Sequence, residues 1–313
     1  MSDDERLSKI SLVLHLLNLF QAFQRQRTDS QMLSIKMQRS SIFLILILIT
    51  SSLKVIFCGT KIDGDFDDTY WYPLDIKVWT WWINGNVEIS SKNVEISAKQ
   101  SEFIKAINFR NNKKIEFLPI KVYKKLQNLN VFQAFNCAVQ EVKYENFQNL
   151  AELQLVSLAS NEISNIPKDT FKDLSNLKHL ELRMNNIQTI HELSFQNHIN
   201  LRFLNIGSNE ISYISPTTFE NLKELRNISM SDNTLQSLGD EHFKNNKKLE
   251  RIWLQNNKIH ILSPTMFDHL KNLVVANFTG NSCIDRLFEV NEDEFCALKV
   301  LGLKEIIKKN CES

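Results

Sequence analysis

His191-Glu192 is the nearest approach in this chain to a metalloprotease signature. There, two histidines on one helix face hold zinc and the glutamate beside the first acts as general base. The second histidine would fall at position 195, which is Phe195. Asp63, Asp65 and Asp67 open like a calcium loop, but such a loop next needs a glycine for its sharp turn and ends on a bidentate glutamate. Asp68 and Leu74 stand at those two places. Neither segment is expected to hold a metal. No nucleophile elbow of the G-x-S-x-G type, phosphate-binding glycine loop or zinc-spaced cysteine set occurs in the sequence, so neither catalysis nor a cofactor is expected.

Asparagine, by contrast, recurs at fixed spacing. Asn161, Asn185, Asn209, Asn233, Asn257 and Asn281 follow one another every 24 residues. Cys137 stands one step before Asn161, and Asn112 precedes it after a unit one residue longer. Phe147, Phe171, Phe195, Phe219, Phe243 and Phe267 keep the same step, as do Leu153, Leu177, Leu201, Leu225, Leu249 and Leu273. Three columns in one phase define an internal repeat.

The unit reads L-x-x-L-x-L-x-x-N. Its fourth and sixth residues, such as Val156 and Leu158, point from a short strand into a core while their neighbours point outward. The asparagine amide, with two donors and an acceptor, is suited to satisfy buried turn backbone of adjacent units, and losing one should cost about 1–3 kcal/mol. Cys137 can supply a weak donor in that ladder as a buried free thiol. The expected fold is an α/β-type repeat solenoid, a curved horseshoe with a parallel concave sheet. Eight units begin at Ile104, Leu129, Leu153, Leu177, Leu201, Leu225, Leu249 and Leu273 and occupy 104–281. Their strands should span roughly 40 Å.

The flanks differ in composition. Residues 1–36 belong to no repeat. Residues 37–57 have secretory-signal grammar: Arg39, then the apolar run Ile42 to Ile49, then Thr50, Ser51 and Ser52. Cleavage is the first reading and a type II signal-anchor the second; after cleavage no stable membrane span is expected. Residues 58–103 are expected to form a β-rich cap, with Asn86 to Ser90 and Asn93 to Ser97 as extra strands and Trp71, Trp79, Trp81 and Trp82 in its core. Three of the five cysteines fall in the segment 282–313. A bridge from Cys283 to Cys311 would fasten a C-terminal helical cap built on Leu298, Leu301, Ile306 and Ile307, in an oxidising compartment. Cys296 is then left free and buried, or linked to another chain in a disulfide-bonded oligomer.

Outward positions of the repeat strands form the expected ligand face. They run Val131, Leu155, His179, Phe203, Asn227, Arg251 and Val275 at the third place, and Gln133, Ser157, Glu181, Asn205, Ser229, Trp253 and Asn277 at the fifth. His179, Arg183, Phe203, Arg251 and Trp253 are the binding candidates, the aromatics as anchors. Lys178, Arg202, Arg226 and Arg183 make this region mildly basic, which suits an acidic partner or a solvated face. A net charge of +1 gives no general attraction to nucleic acid or acidic membranes. Sequons at Asn227-Ile228-Ser229 and Asn277-Phe278-Thr279 fit a secreted chain and put glycans on the same strands.

With these columns in place, the sequence resembles the extracellular, typical-subtype leucine-rich repeat family, the class seen in Toll-receptor ectodomains and Slit-like proteins. Its ending Gly280-Asn281-Ser282-Cys283-Ile284 looks most like the arthropod secreted immune-type members. The resemblance implies a non-catalytic solenoid that binds a protein or a surface glycan, secreted and extracellular, with a place in innate immunity. The chain departs from it by lacking the usual C-x-C pair of the cap and any C-terminal coiled coil, and no signalling domain follows the repeats. The second expectation is a membrane-anchored or matrix-bound adhesion module.

Overall fold

The computed structural model describes residues 55–57, 60–62, 64–71, 76–83, 104–109, 111–289 and 296–311. Contacts set Met1–Ser51 apart as one unit from Ser52–Ser313, and only the latter is described below. The N-terminal extension, most of the signal-like segment, the strand pair 86–97 and the side chains of the cap tryptophans and Cys296 lie outside the described residues.

A short hairpin of β1 (Val55–Phe57) and β2 (Thr60–Ile62) includes the last three residues of the signal-like segment. Two longer antiparallel strands follow, β3 (Gly64–Trp71) and β4 (Ile76–Ile83). Eight repeat strands then stack in parallel: β5 (Ala106–Asn108), β6 (Val131–Gln133), β7 (Leu155–Ser157), β8 (His179–Glu181), β9 (Phe203–Asn205), β10 (Asn227–Ser229), β12 (Arg251–Trp253) and β14 (Val275–Asn277). Between them β11 (Ser237–Leu238) and β13 (Ile261–Leu262) form a small parallel pair of their own. β15 (Leu287–Glu289) returns antiparallel on β14, so a single 11-stranded sheet runs from β3 to β15. The stack is thus met at one end by β4, parallel to β5 and itself backed by antiparallel β3, and at the other by antiparallel β15, which leaves no repeat strand as an open edge.

From β6 to β14 each residue pairs with the one 24 places on, as Leu180 with Leu204 and Ile228 with Ile252. The strands stop after three residues because the chain bends at the eighth place of every unit. Asn111, Asn136, Ser160, Met184, Ser208, Asp232, Asn256 and Gly280 all have positive φ there. Seven of those eight residues are Asn, Asp, Ser or Gly, which tolerate or support the left-handed conformation. Met184 is the exception.

The core follows the repeat. Fourth- and sixth-place residues are buried, and the phenylalanine column stacks from turn to turn, with Phe219 6.4 Å from Phe195 and 5.9 Å from Phe243. The asparagines knit neighbouring turns. Asn209 donates through Nδ2 to Leu182 O, Ile206 O and Gly207 O, and accepts at Oδ1 from Ile187 N at 3.1 Å. Cys137 stands in this ladder with a thiol that meets Phe109 O at 2.9 Å and Phe135 O at 3.7 Å, and burial pushes its pKa up to about 11. It is inert as a nucleophile in the folded chain.

Leucine occupies the place three residues after the phenylalanine at Leu150, Leu174, Leu222 and Leu270, but His198 and Asn246 replace it in two turns. Asn246 Nδ2 reaches Phe219 O and Leu222 O. His198 is fully buried, with Nε2 3.1 Å from Phe171 O and Nδ1 without a partner. Burial holds its pKa below the ordinary histidine value. The unfolded chain therefore binds a proton that the folded chain refuses, so stability is full above pH 6.5 or so and declines as pH falls from there towards the folded pKa. We expect His198→Leu to remove up to about 1.4 kcal/mol of this loss per pH unit. Thermal melts at neutral and mildly acid pH should show the wild-type acid shift reduced in the variant.

At the C-terminus Cys283 and Cys311 are bridged, with Cα atoms 5.0 Å apart. The closing helix, Cys296–Asn310, buries Leu303 and Ile307 against the last turns and pairs Lys304 with Asp268. Leu303 was absent from the apolar set chosen from the sequence, although it lies one helical turn before Ile307. Among the described residues no helix is long and apolar enough to cross a membrane.

One expectation about the outer face needs correction. Val131, Leu155 and Ser157 are buried, although strand alternation turns them outward. On strands about 4.8 Å apart a small or apolar side chain is crowded by its neighbours in register. Leu155 lies between Val131 and His179, and Ser157 between Gln133 and Glu181. Gln133 on β6 stays partly accessible, and β8 is the first strand on which both outward residues are.

Candidate ligand-binding face

On β8 and β9 the third-place residues His179 and Phe203 lie in register, and their rings stack flat, 4.2 Å between centroids with 3° between planes. Stacking of this kind fixes both rings as one rigid apolar plate. Glu181, two residues along β8 on the same face, sits 3.9 Å from His179 Nε2, and Arg183 Nε comes within 3.3 Å of its other oxygen. His179 and Glu181 side chains are only 12% and 15% exposed, whereas that of Arg183 is 46% exposed. The Nδ1 atom of His179 is buried without a hydrogen-bond partner. A buried polar atom left unsatisfied costs about 1–3 kcal/mol, so the imidazole is held in this stack at an energetic cost.

Next along the chain comes Met184, half exposed and with φ 57°. Its sulfur meets Ser160 Oγ at 3.5 Å. An unbranched apolar side chain gains nothing locally in a left-handed turn, and strain of this kind persists chiefly where function uses it. Met184 therefore joins His179, Glu181, Arg183 and Phe203 as a fifth member of one cluster. Sequence reasoning passed over it because its neighbours in the same column look like ordinary turn residues; the departure from Asn, Ser, Asp and Gly was the available signal. Met184→Asn is expected to stabilise the chain by about 1 kcal/mol, and a melt that does not rise would remove the strain argument.

Beyond the cluster the face dips. Gly207, buried at the seventh place, lies so close to Ser231 that an added Cβ would come within 2.9 Å of the Ser231 hydroxyl. Ser229 and Ser231 hydroxyls are 3.3 Å apart, and Asn205 Oδ1 accepts from Gly207 N. These short polar residues floor the space between the His179 and Phe203 plate and β12, where Trp253 stands half-buried between Ser229 and Asn277 in register. Arg251 begins the same strand, exposed, with Nη1 3.5 Å from both Glu250 and Asn227 Oδ1. Thus His179, Arg183 and Phe203 come together, while Arg251 and Trp253 lie across the dip. Of the sequon residues, Asn277 lies beside Trp253 in register and Asn227 beside Arg251, and Asn277 Oδ1 accepts from both the amide and the hydroxyl of Thr279.

This geometry offers an aromatic plate, a polar floor and a second aromatic wall; its arrangement suits binding. A family model described as Leucine rich repeat matches residues 134–187, 151–207, 175–235 and 224–282. No curated protein matches the chain. Among solved structures, one titled as a crystal structure of a TLR13-ssRNA13 complex is similar, with 22% identity over 62% of this chain and a TM-score of 0.54. This chain covers only 27% of that receptor chain, and 404 solved chains match in all, so the likeness establishes the fold and no ligand.

Proposed function

We propose that this leucine-rich repeat solenoid is a secreted, non-catalytic recognition protein that binds a protein or a microbial or cell-surface ligand across β8 to β12. The observation that carries this reading is the cluster of stacked His179 and Phe203 with Glu181, Arg183 and the strained, exposed Met184. Arg, Met and aromatic side chains beside a desolvated centre are the composition of binding hot spots. Secretion is supported by the signal-like grammar of residues 37–57, the Cys283 to Cys311 bridge and the two sequons. Innate immunity is the setting suggested by the arthropod-like ending of the repeats. The TLR13 neighbour is bound to an RNA; here the cations on the face, Arg183 and Arg251, each face a carboxylate, which favours a protein or surface ligand.

Expression of the full chain in a eukaryotic secretory host tests the first half: recovery from the medium, with a mass that falls on deglycosylation, is the expected result. Retention in membranes with residues 42–57 intact would instead make the chain an anchored adhesion module. For the second half, Phe203→Ala and Trp253→Ala should each weaken capture of the purified chain on washed microbial cells about fivefold or more while leaving its melting temperature near the wild-type value. Unchanged capture by both variants would move the site off this face.

A further inference from the structure

We propose that the edge of the sheet at which the strands begin, over the turns from Arg202 to Lys271, docks a sulfated polysaccharide. This edge is distinct from the concave face. Two columns of cations run along it, each with a 24-residue step: Lys178, Arg202 and Arg226 at the second place, and Lys223, Lys247 and Lys271 at the twenty-third. Successive members stand on neighbouring turns, whose strands are about 4.8 Å apart. Like charges so placed repel each other, and the core asks nothing of the five that are exposed, Arg202, Arg226, Lys223, Lys247 and Lys271. Two carboxylates partly offset them. Glu250 pairs with Arg226 at 2.6 Å and with Arg251 at 3.5 Å, and Glu224 holds Lys248 at 2.6 Å. The nearby cations hold the Glu224 carboxyl below the usual range. Arg202, Lys223 and Lys247 are exposed and have no carboxylate at ion-pair distance among the described residues.

The opposite edge, where the strands end, is mixed, with exposed Glu162, Glu210 and Asp232 beside exposed Lys258. A total charge of +1 thus hides one edge on which cations predominate. Such clustering orients a long anion along that side of the solenoid. The chemistry of the edge selects among anions. Readers of single-stranded nucleic acid interleave cations with aromatic stacking platforms. On this edge lysines and arginines alternate with Glu224, Glu250, Asn272 and Val274, and the aromatics Phe203 and Trp253 lie on the concave face. Lysine ammonium groups are compact point charges that suit sulfate oxygens approached from many directions.

Fluorescence polarisation of three labelled probes on the purified full chain tests this: a heparin oligosaccharide, hyaluronan of similar length carrying carboxylates alone, and a single-stranded RNA of similar charge. Heparin should bind most tightly, and its affinity should fall steeply with added salt. The double variant Lys223→Gln, Lys247→Gln should weaken heparin about tenfold or more, while Lys168→Gln, Lys258→Gln, with the same loss of charge elsewhere, should stay within about twofold. All four lysines are exposed, and unchanged melts will show that the variants are folded. Equal loss in both doubles would reduce the effect to net charge and overturn the edge. Hyaluronan binding as tightly as heparin, or RNA binding more tightly, would overturn the sulfated polysaccharide.

Discussion

Phe219→Ala is expected to lower the stability of the repeat array by about 3–5 kcal/mol, the largest effect of any single change considered for this chain. Phe219 is fully buried at the middle of the phenylalanine column, with rings of adjacent turns on both sides at 6.4 and 5.9 Å and nearly parallel. Truncation loses the transfer energy of the ring and leaves a cavity that the neighbouring rings, each held by its own turn, can only partly close. Because a repeat contacts little beyond its two neighbours, the damage also weakens the coupling between the halves of the stack. Denaturant titration should therefore show a lower midpoint and a broader transition, whereas Phe219→Leu should retain most of the stability. A loss below about 1 kcal/mol would mean that the column contributes far less than its burial implies.

Asn209 gives the second large effect. Replacing it with alanine leaves buried Ile187 N without its acceptor and takes one donor each from Leu182 O, Ile206 O and Gly207 O, which keep Asn185 Nδ2, Asn233 Nδ2 and Met184 N. A cost of about 1–3 kcal/mol is expected, since one buried amide is left unpaired and three carbonyls each lose a bond. Aspartate sharpens the test. It has almost the same shape but turns an acceptor, and at neutral pH a charge, towards three carbonyls, so Asn209→Asp should be worse than Asn209→Ala. An aspartate variant as stable as wild type would mean that the amide orientation described for this ladder is wrong. Cys137 shows the milder alternative within the same chain, a thiol whose one weak donor lies between Phe109 O and Phe135 O.

Periodicity explains what could be foreseen from the sequence. The Asn209 and Phe219 columns recur every 24 residues, and a residue that must fill the same niche in every turn declares itself by repetition. The strand faces followed from alternation, and the Cys283 to Cys311 bridge from where the repeat stops. Features that depend on cross-turn crowding did not declare themselves. Leu155 and Ser157 alternate correctly yet are covered by neighbours 24 residues away. Met184 required a backbone angle, because a methionine in a turn is unremarkable until φ is known. The cationic edge was half visible as Lys178, Arg202 and Arg226; Lys223 and Lys247 joined it only once the twenty-third and second places were seen to share one side. His198 was hidden because it interrupts a leucine column that was not itself traced.

The sheet register has a consequence for how this protein could change over generations. The strand register of the middle turns links each residue to its counterpart one turn away, as in the pairing of Leu180 with Leu204 and of Leu204 with Ile228. Deleting or duplicating 24 residues anywhere between β7 and β12 would therefore bring equivalent surfaces together and preserve the stack. Removing any other number would put a core leucine where an outward residue belongs. In these turns length thus drifts most readily in whole units, although the first unit, one residue longer, keeps its strand in register; each added turn lengthens the outer face and the charged edge together. The antiparallel β3 and β15, which accept no further parallel neighbour in kind, are what bring the count to a stop.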